Sequence, residues 1–314
     1  MDFESLKTRF PISGVIILII GFLAGIITLY WNLADIIGKI NVNYIVMFLF
    51  GIGFGELIHI LRFTRNYPKI ALLHSSFQDR IQIDPIKEQL NDQDVKLIEL
   101  NFDSYNLWNR EFADWDGAVN EQEVHFKNLI KTVKDSTELH YFSFATVPLA
   151  IHFGFLFSLR FQLQVYHYKR QKSDKPWDWS QKKRPKSWSL SVQESLDLQE
   201  NVNEYAVVVE QSSFITDEHI AQTINQIPKI RISVPTPNYE DLRAEQQSID
   251  IAREVRDVID KFHKAKIIHL FCAVQSPTSF LIGQRIRRKM HPKIFLYDFD
   301  KTLDPPYAKV ITLN

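Results

Sequence analysis

The chain has little with which to cross-link itself. Among 314 residues there is one cysteine, Cys272, so no internal disulfide can form and no zinc site built on paired thiolates is available, a pattern that suits a reducing compartment. It also lacks a surplus of either charge: 37 Lys and Arg stand against 37 Asp and Glu, whereas a dedicated duplex-DNA binder carries a basic excess. No phosphate-cradling glycine loop, metal-binding His pair or nucleophile elbow occurs. What remains is ordinary globular composition, 45% hydrophobic and 24% charged, at a length suggesting about two domains.

The apolar residues are unevenly spread. Residues 12–31, ISGVIILIIGFLAGIITLYW, hold no charge, and a helix of that length covers roughly 30 Å, the thickness of a bilayer's hydrocarbon core. Tyr30 and Trp31 close the run as an interfacial aromatic pair. A second run, residues 42–61, follows after a short connection. Lys7 and Arg9 precede the first run and Arg62, Arg65 and Lys69 follow the second, so the positive-inside rule places both ends in the cytoplasm. The first run is too long for a signal peptide and no small-x-small cleavage site follows it. Glu56 and His59 share a helix face in the second span. They line a pore or oligomer contact, or else reach to the headgroups. Gly21 with Gly25, and Gly51 with Gly55, are small-xxx-small pairs that let helices approach closely.

From residue 70 the chain alternates short β-like runs with helical patterns, the texture of a parallel sheet flanked by helices. It also repeats itself. KIALLHSSF at 69–77 matches YAVVVEQSSF at 205–214, each an apolar strand running into Ser-Ser-Phe. HYFSFATVPLAIHFG at 140–154 matches HLFCAVQSPTSFLIG at 269–283: His, then Pro eight positions on, then Gly six further. Strands at 162–168 and 293–299 follow each copy, and VKLIELN (95–101) pairs with KIRISV (229–234). A helix at 245–263 stripes Ile249, Ala252, Val255, Ile259 and Phe262. The expected architecture is α/β: two fused Rossmann-like halves, 70–187 and 188–314, in a pseudo-twofold repeat, preceded by an α-helical two-span transmembrane hairpin in residues 1–69. Between the halves a polar, tryptophan-rich linker, KRQKSDKPWDWSQKKRPKSW, reads as a surface loop, although three tryptophans are expensive to leave in water.

In a parallel sheet the usable crevice lies at the carboxyl ends of the strands. Loops carrying Ser75-Ser76-Phe77, Ser212-Ser213-Phe214, Ala145-Thr146-Val147-Pro148 and Gln275-Ser276-Pro277-Thr278 reach that edge. Proline just after Thr or Ser marks a helix start, whose free N–H groups attract anions. Two such edges side by side suit a repetitive, anionic ligand larger than one nucleotide. Read singly, each Ser or Thr is a cap.

These segments, with VYHYKR followed by WDW and the closing LYDF and YAKVITL, resemble the SAVED domain, a pair of fused CARF-like halves that senses cyclic oligonucleotides in bacterial anti-phage signalling (CBASS). The resemblance covers about residues 70–314. It implies that Ser75, Ser76, Phe77, Thr146, Ser212, Ser213, Ser276 and Thr278 lie on ligand-facing loops, and that Lys169 and Arg170 meet phosphates. Two spans before such a domain resemble the membrane effectors of these systems. The implied protein is a non-enzymatic effector of the bacterial inner membrane. A cyclic tri- or tetranucleotide would drive its homo-oligomeric, filament-like stacking and the disruption of the bilayer, with Gly51, Gly55, Glu56 and His59 as membrane-active residues. No cofactor, metal, catalytic residue or duplex nucleic acid is expected. The alternatives are a membrane-tethered hydrolase, such as a ring nuclease, and a non-catalytic anchored interaction protein.

IFLYDFDKTL, residues 294–303, also matches the opening motif of haloacid-dehalogenase phosphatases, with Asp298, Asp300 and Thr302 in place. That motif normally begins its domain, and here about a dozen residues follow. The corresponding first-half strand ends in Tyr166-His167-Tyr168, without carboxylates. His140 and His269, at matched strand starts, read as structural.

Overall fold

The computed structural model describes residues 68–313, apart from 77–80, 93, 110, 134–136, 159–160, 162, 170–175, 180, 182, 196–201 and 301–303. The apolar runs at 12–31 and 42–61, with Gly51, Gly55, Glu56 and His59, lie outside the described residues. No helix among the described residues is long and apolar enough to cross a membrane.

A four-stranded parallel sheet comes first, ordered β2-β1-β3-β4, from β1 (Lys69–Ser75), β2 (Lys96–Asn101), β3 (Glu138–Phe144) and β4 (Leu163–Val165). β1 is central and almost wholly buried, which is why it reads as a continuous apolar run rather than an alternating one. Helices α1 (Asp84–Leu90), α2 (Trp115–Thr132) and α3 (Val147–Phe157) connect the strands. Asp114 caps α2 by accepting the Gly117 N–H at 2.8 Å, and the helix buries Trp115, Ala118, Gln122, Phe126 and Leu129 along one face.

The second sheet has six strands, ordered β10-β9-β8-β6-β7-β5. Its inner four, β6 (Glu204–Glu210), β7 (Lys229–Ser233), β8 (Ile267–Ala273) and β9 (Lys293–Phe299), repeat the order of the first sheet. Their helices are α4 (Asp217–Thr223), α5 (Glu245–Lys261) and α6 (Ser276–Arg285). Two antiparallel strands close the edges, β5 (Ser191–Glu194) on β7 and β10 (Tyr307–Leu313) on β9. β5 escaped the sequence reading because it is short and mostly exposed, so no apolar period marks it. The buried face of α5 also takes in Ile251 and Val258, displaced around the helix from the expected stripe.

The matched glycines explain the spacing of the repeat. Helices α3 and α6 are buried along nearly their whole lengths and pack against each other. A methyl group on Gly154 would collide with the Phe280 carbonyl oxygen, and one on Gly283 with the Ile151 carbonyl oxygen. Only a residue without Cβ lets the two backbones come this close. Tyr141 of β3 stacks on Phe280 of α6 with ring centroids 4.0 Å apart, so one continuous core joins the two sheets.

The linker is not a free surface loop. Trp177 is buried against Phe142, Phe144 and Tyr168. Trp179 stacks on His167 and donates from Nε1 to the Val165 carbonyl at 3.0 Å. Tryptophans in a polar stretch were plugs on the first sheet, as the cost of hydrating them requires.

Candidate ligand edge and family

At the carboxyl edge each sheet fastens a helix start to its central strand. Ser76, fully buried, accepts the Thr146 N–H at 2.7 Å. Gln211, 3% exposed, accepts the Gln275 N–H through Oε1 at 3.0 Å. These are equivalent contacts, because the strand registers pair Ser75 with Phe144 and Glu210 with Ala273. Ser76 therefore corresponds to Gln211, and the Ser-Ser-Phe similarity is not a structural one. Ser212 and Ser213 lie further along their loop, half-buried and exposed.

Thr146 and Gln275 are the N-cap residues of α3 and α6, yet neither side chain caps its helix. Thr146 Oγ1 and Gln275 Oε1 are both buried and have no hydrogen-bond partner. A buried orphan of this kind costs about 1–3 kcal/mol, so it persists where something else satisfies it. The first N–H groups of a helix are likewise free, and their partial positive charge favours anions. Gln211 Nε2 is a third orphan. Gln211 also borders a cavity of about 10 Å³ with Trp188, Val234, Leu242 and Gln247, a space for one small polar guest. Thr146 Oγ1 and Gln275 Oε1 are left without a partner at the two helix starts.

Other expected residues play supporting parts. Ser276 donates to Ser143 Oγ at 2.6 Å, and Ser143 also accepts the Ala145 N–H at 3.1 Å. This bridge sets the start of α6 against the end of β3, bringing the two helix N-termini together. Thr278 is buried and bonded to Ser248 at 2.8 Å, pointing into the core rather than to the edge. Ser75 is buried and hydrogen-bonded. Lys169 is half-buried, and its backbone N–H donates to the Pro176 carbonyl at 2.7 Å. Phe77 and Arg170 lie outside the described residues. Exposed aromatics occur on segments that follow the strands: Trp108 and Phe112 after β2, Phe214 after β6, Tyr239 after β7 and Phe299 closing β9. Aromatic faces presented this way stack on bases without regard to sequence.

Behind the edge runs a buried polar chain that the sequence did not announce. From Ser143 it passes to Tyr141, then to His74 Nδ1 at 2.7 Å. Gln122 joins His74 Nε2 at 3.2 Å and also meets His152. Burial, with His152 nearby, pushes the His74 pKa down to about 3. Burial likewise lowers that of His152 to about 4 and raises that of Tyr141. Both imidazoles are thus neutral at physiological pH.

A family model for SAVED, the SMODS-associated and fused to various effectors sensor domain, matches residues 122–313. The chain belongs to the SAVED family. Among solved structures this SAVED chain is similar to the Acinetobacter baumannii Cap4 SAVED/CARF-domain containing receptor with the cyclic trinucleotide 3'3'3'-cAAA. That match has 18% identity and a TM-score of 0.50, covering 79% of this chain and 52% of that one. The same receptor with 2'3'3'-cAAA gives 18% identity, a TM-score of 0.49 and the same coverage. The Moraxella osloensis Cap4 receptor gives 16% identity and 0.46, with 79% of this chain and 50% of that one covered. The chain spans about half the length of these receptors. No curated protein matches it. At 18% identity the match with a TM-score of 0.50 speaks for the fold alone.

The two remaining motifs settle into the SAVED architecture. His140 bonds Tyr166 Oη at 3.1 Å, and His269 bonds Tyr297 Oη at 2.6 Å, a matched pair tying the third strand of each sheet to the fourth. Asp298 faces Ala308 in the β9–β10 ladder, the Asp300 N–H donates to the Pro306 carbonyl at 2.8 Å, and both carboxylate residues have partners. Thr302 lies outside the described residues. No cluster of three metal-ligating side chains occurs among the described residues. Gln211, Gln275 and Ser143 were missed because their importance lies in partners 64 and 133 positions away along the chain. The one available signal was Gln275 standing, like Thr146, two residues before the repeated proline.

Proposed function

We propose that this SAVED chain is a membrane-anchored receptor for a cyclic oligonucleotide in bacterial anti-phage defence, and that ligand binding drives self-association and disruption of the inner membrane. The observation that carries the sensor reading is the pair of helix N-termini at one edge, each with a buried, unpartnered side-chain oxygen at its N-cap. Paired positive helix ends suit phosphates, and exposed aromatics on the segments that follow the strands suit bases. The trinucleotide in the similar Cap4 receptor supports a cyclic trinucleotide as the first ligand to try, with tetranucleotides next. Two apolar runs of bilayer length, the first without a charge and the second with Glu56 alone, support the membrane part.

Calorimetry of the detergent-solubilised full chain against a panel of cyclic di-, tri- and tetranucleotides tests the sensor: micromolar or tighter binding to one of them is expected. Silence across the panel would refute it. For the effector, Glu56→Leu, or Gly51 and Gly55 both to Leu, should spare ligand binding and abolish killing of the host cell on ligand production. Killing that survived deletion of residues 1–69 would show that the apolar runs are not the effector.

A further inference from the structure

Charge balanced over the whole chain is not balanced locally. From Lys261 to Tyr297 there is no Asp or Glu, while eight Lys and Arg cluster in two stretches, 261–266 and 285–293. The tertiary fold collects these cations on two adjoining loops. Residues 262–266 precede β8 and carry Lys264 and Lys266; residues 286–292 precede β9 and carry Arg287, Arg288 and Lys289. The loops touch, since Ile267 and Lys293 are register partners and the Lys293 N–H donates to the Lys266 carbonyl at 3.3 Å. Lys264, Lys266, Arg288, Lys289 and Lys293 are exposed. At the tip, Met290 stands 62% exposed.

Of the nearby carboxylates, Asp260 is paired with Arg256 at 3.0 Å and also meets His291 at 2.9 Å. Glu204 bonds His269, whose pKa burial lowers, at 2.5 Å, so it leaves one negative charge beside the more numerous cations of the rim. Arg285, just inside the rim, has a buried Nε without a partner. Burial first, then the neighbouring Arg253 and Arg256, lower its pKa, with Asp257 and Asp250 acting in the opposite direction.

The rim lies on the amino-terminal edge of the strands, opposite the ligand edge. Arg288 sits over the Phe155 ring at 4.9 Å, near the end of α3, so the same edge belongs to both sheets. β1 also opens there, at Lys69, whose register partner Glu138 begins β3. In sequence, seven residues, including Arg62 and Arg65, separate Lys69 from the end of the apolar run at Leu61. A cluster of Lys and Arg immediately following a membrane span is the pattern that attracts anionic lipid, and an apolar side chain projecting among the cations is what inserts between headgroups.

We propose that loops 262–266 and 286–292 form a lipid-facing rim that binds anionic phospholipid headgroups through Lys264, Lys266, Arg287, Arg288 and Lys289, with Met290 entering the interface. This rests on the membrane reading above. Docking the rim on the bilayer would hold the ligand edge turned toward the cytoplasm.

The test uses the full chain carrying Met290→Cys, labelled with an environment-sensitive fluorophore; Cys272 is buried. The labelled chain is reconstituted into phosphatidylcholine vesicles with or without phosphatidylglycerol. Expected is a blue shift only with phosphatidylglycerol, reversed by high salt. Changing Arg287, Arg288 and Lys289 to Gln should lower the docked-to-undocked ratio roughly a hundredfold. Identical spectra on both vesicles would overturn the rim. So would an equal response to duplex DNA in place of lipid, which would make the rim a general polyanion surface. Flotation of the vesicles separates the two levels: a chain that floats with neither composition would sink the membrane reading, and this inference with it.

Discussion

Replacing Gly283 by alanine sets two effects of opposite sign against each other. In an unhindered helix alanine is favoured over glycine by about 1 kcal/mol, so without the helix crossing the variant would gain stability. In the crossing, the added methyl would lie 2.8 Å from Phe155 N and nearer still to the Ile151 carbonyl oxygen. Contacts of about 3.5 Å are normal, so α3 and α6 must part by roughly 1.5 Å along a face where Ile151, Phe155 and Phe280 are buried. Overpacking costs about 1–3 kcal/mol, and backbone atoms cannot rotate aside as a side chain would, which places this site at the upper end. Less the gain from alanine, about 2 kcal/mol remains, which for a unit of this size lowers Tm by roughly 4–8 °C. Gly154→Ala should do the same, its methyl lying 2.9 Å from Gln284 N and closer to the Phe280 carbonyl oxygen. Because the helices carry the two N-termini of the ligand edge, ligand affinity should fall along with Tm. A thermal melt of the solubilised full chain followed by near-UV circular dichroism measures the first effect and calorimetry the second. If either alanine variant melted at or above the parent, the close crossing would be refuted.

Two further outcomes are expected. His74 and His152 are neutral in the fold, with pKa values lowered to about 3 and about 4; the unfolded chain therefore binds more protons below pH 6.5, and stability falls as pH drops through that window. Between pH 6.5 and 5 each contributes a loss of about 2 kcal/mol, so the urea midpoint should fall clearly from pH 7 to 5, and a midpoint that held or rose would contradict the buried chain. Thr146→Val keeps the shape of the side chain and removes a hydroxyl that has no partner; it should leave Tm unchanged or slightly raised while weakening ligand binding about tenfold, given the roughly 1–1.5 kcal/mol of one hydrogen bond, and unchanged affinity by calorimetry would remove Thr146 from the site.

The local periodicities and the internal repeat were legible because they are properties of neighbouring residues. Continuous apolar runs gave β1, β6 and β8, since a strand buried on both faces has no polar alternation. The His-Pro-Gly spacing pointed to two equivalent elements, and the apolar runs at 12–31 and 42–61 follow from length and hydropathy alone. What the chain does with these pieces depended on pairs distant in sequence. Strand register made Gln211, not Ser212, the counterpart of Ser76 in the second half. The crossing of α3 and α6 gave the repeated glycines their reason, and apposition of two loops turned a neutral composition into a basic rim. Sequence pattern records the environment of each residue along the chain. Only packing decides which orphaned oxygen, glycine or arginine it meets across the fold.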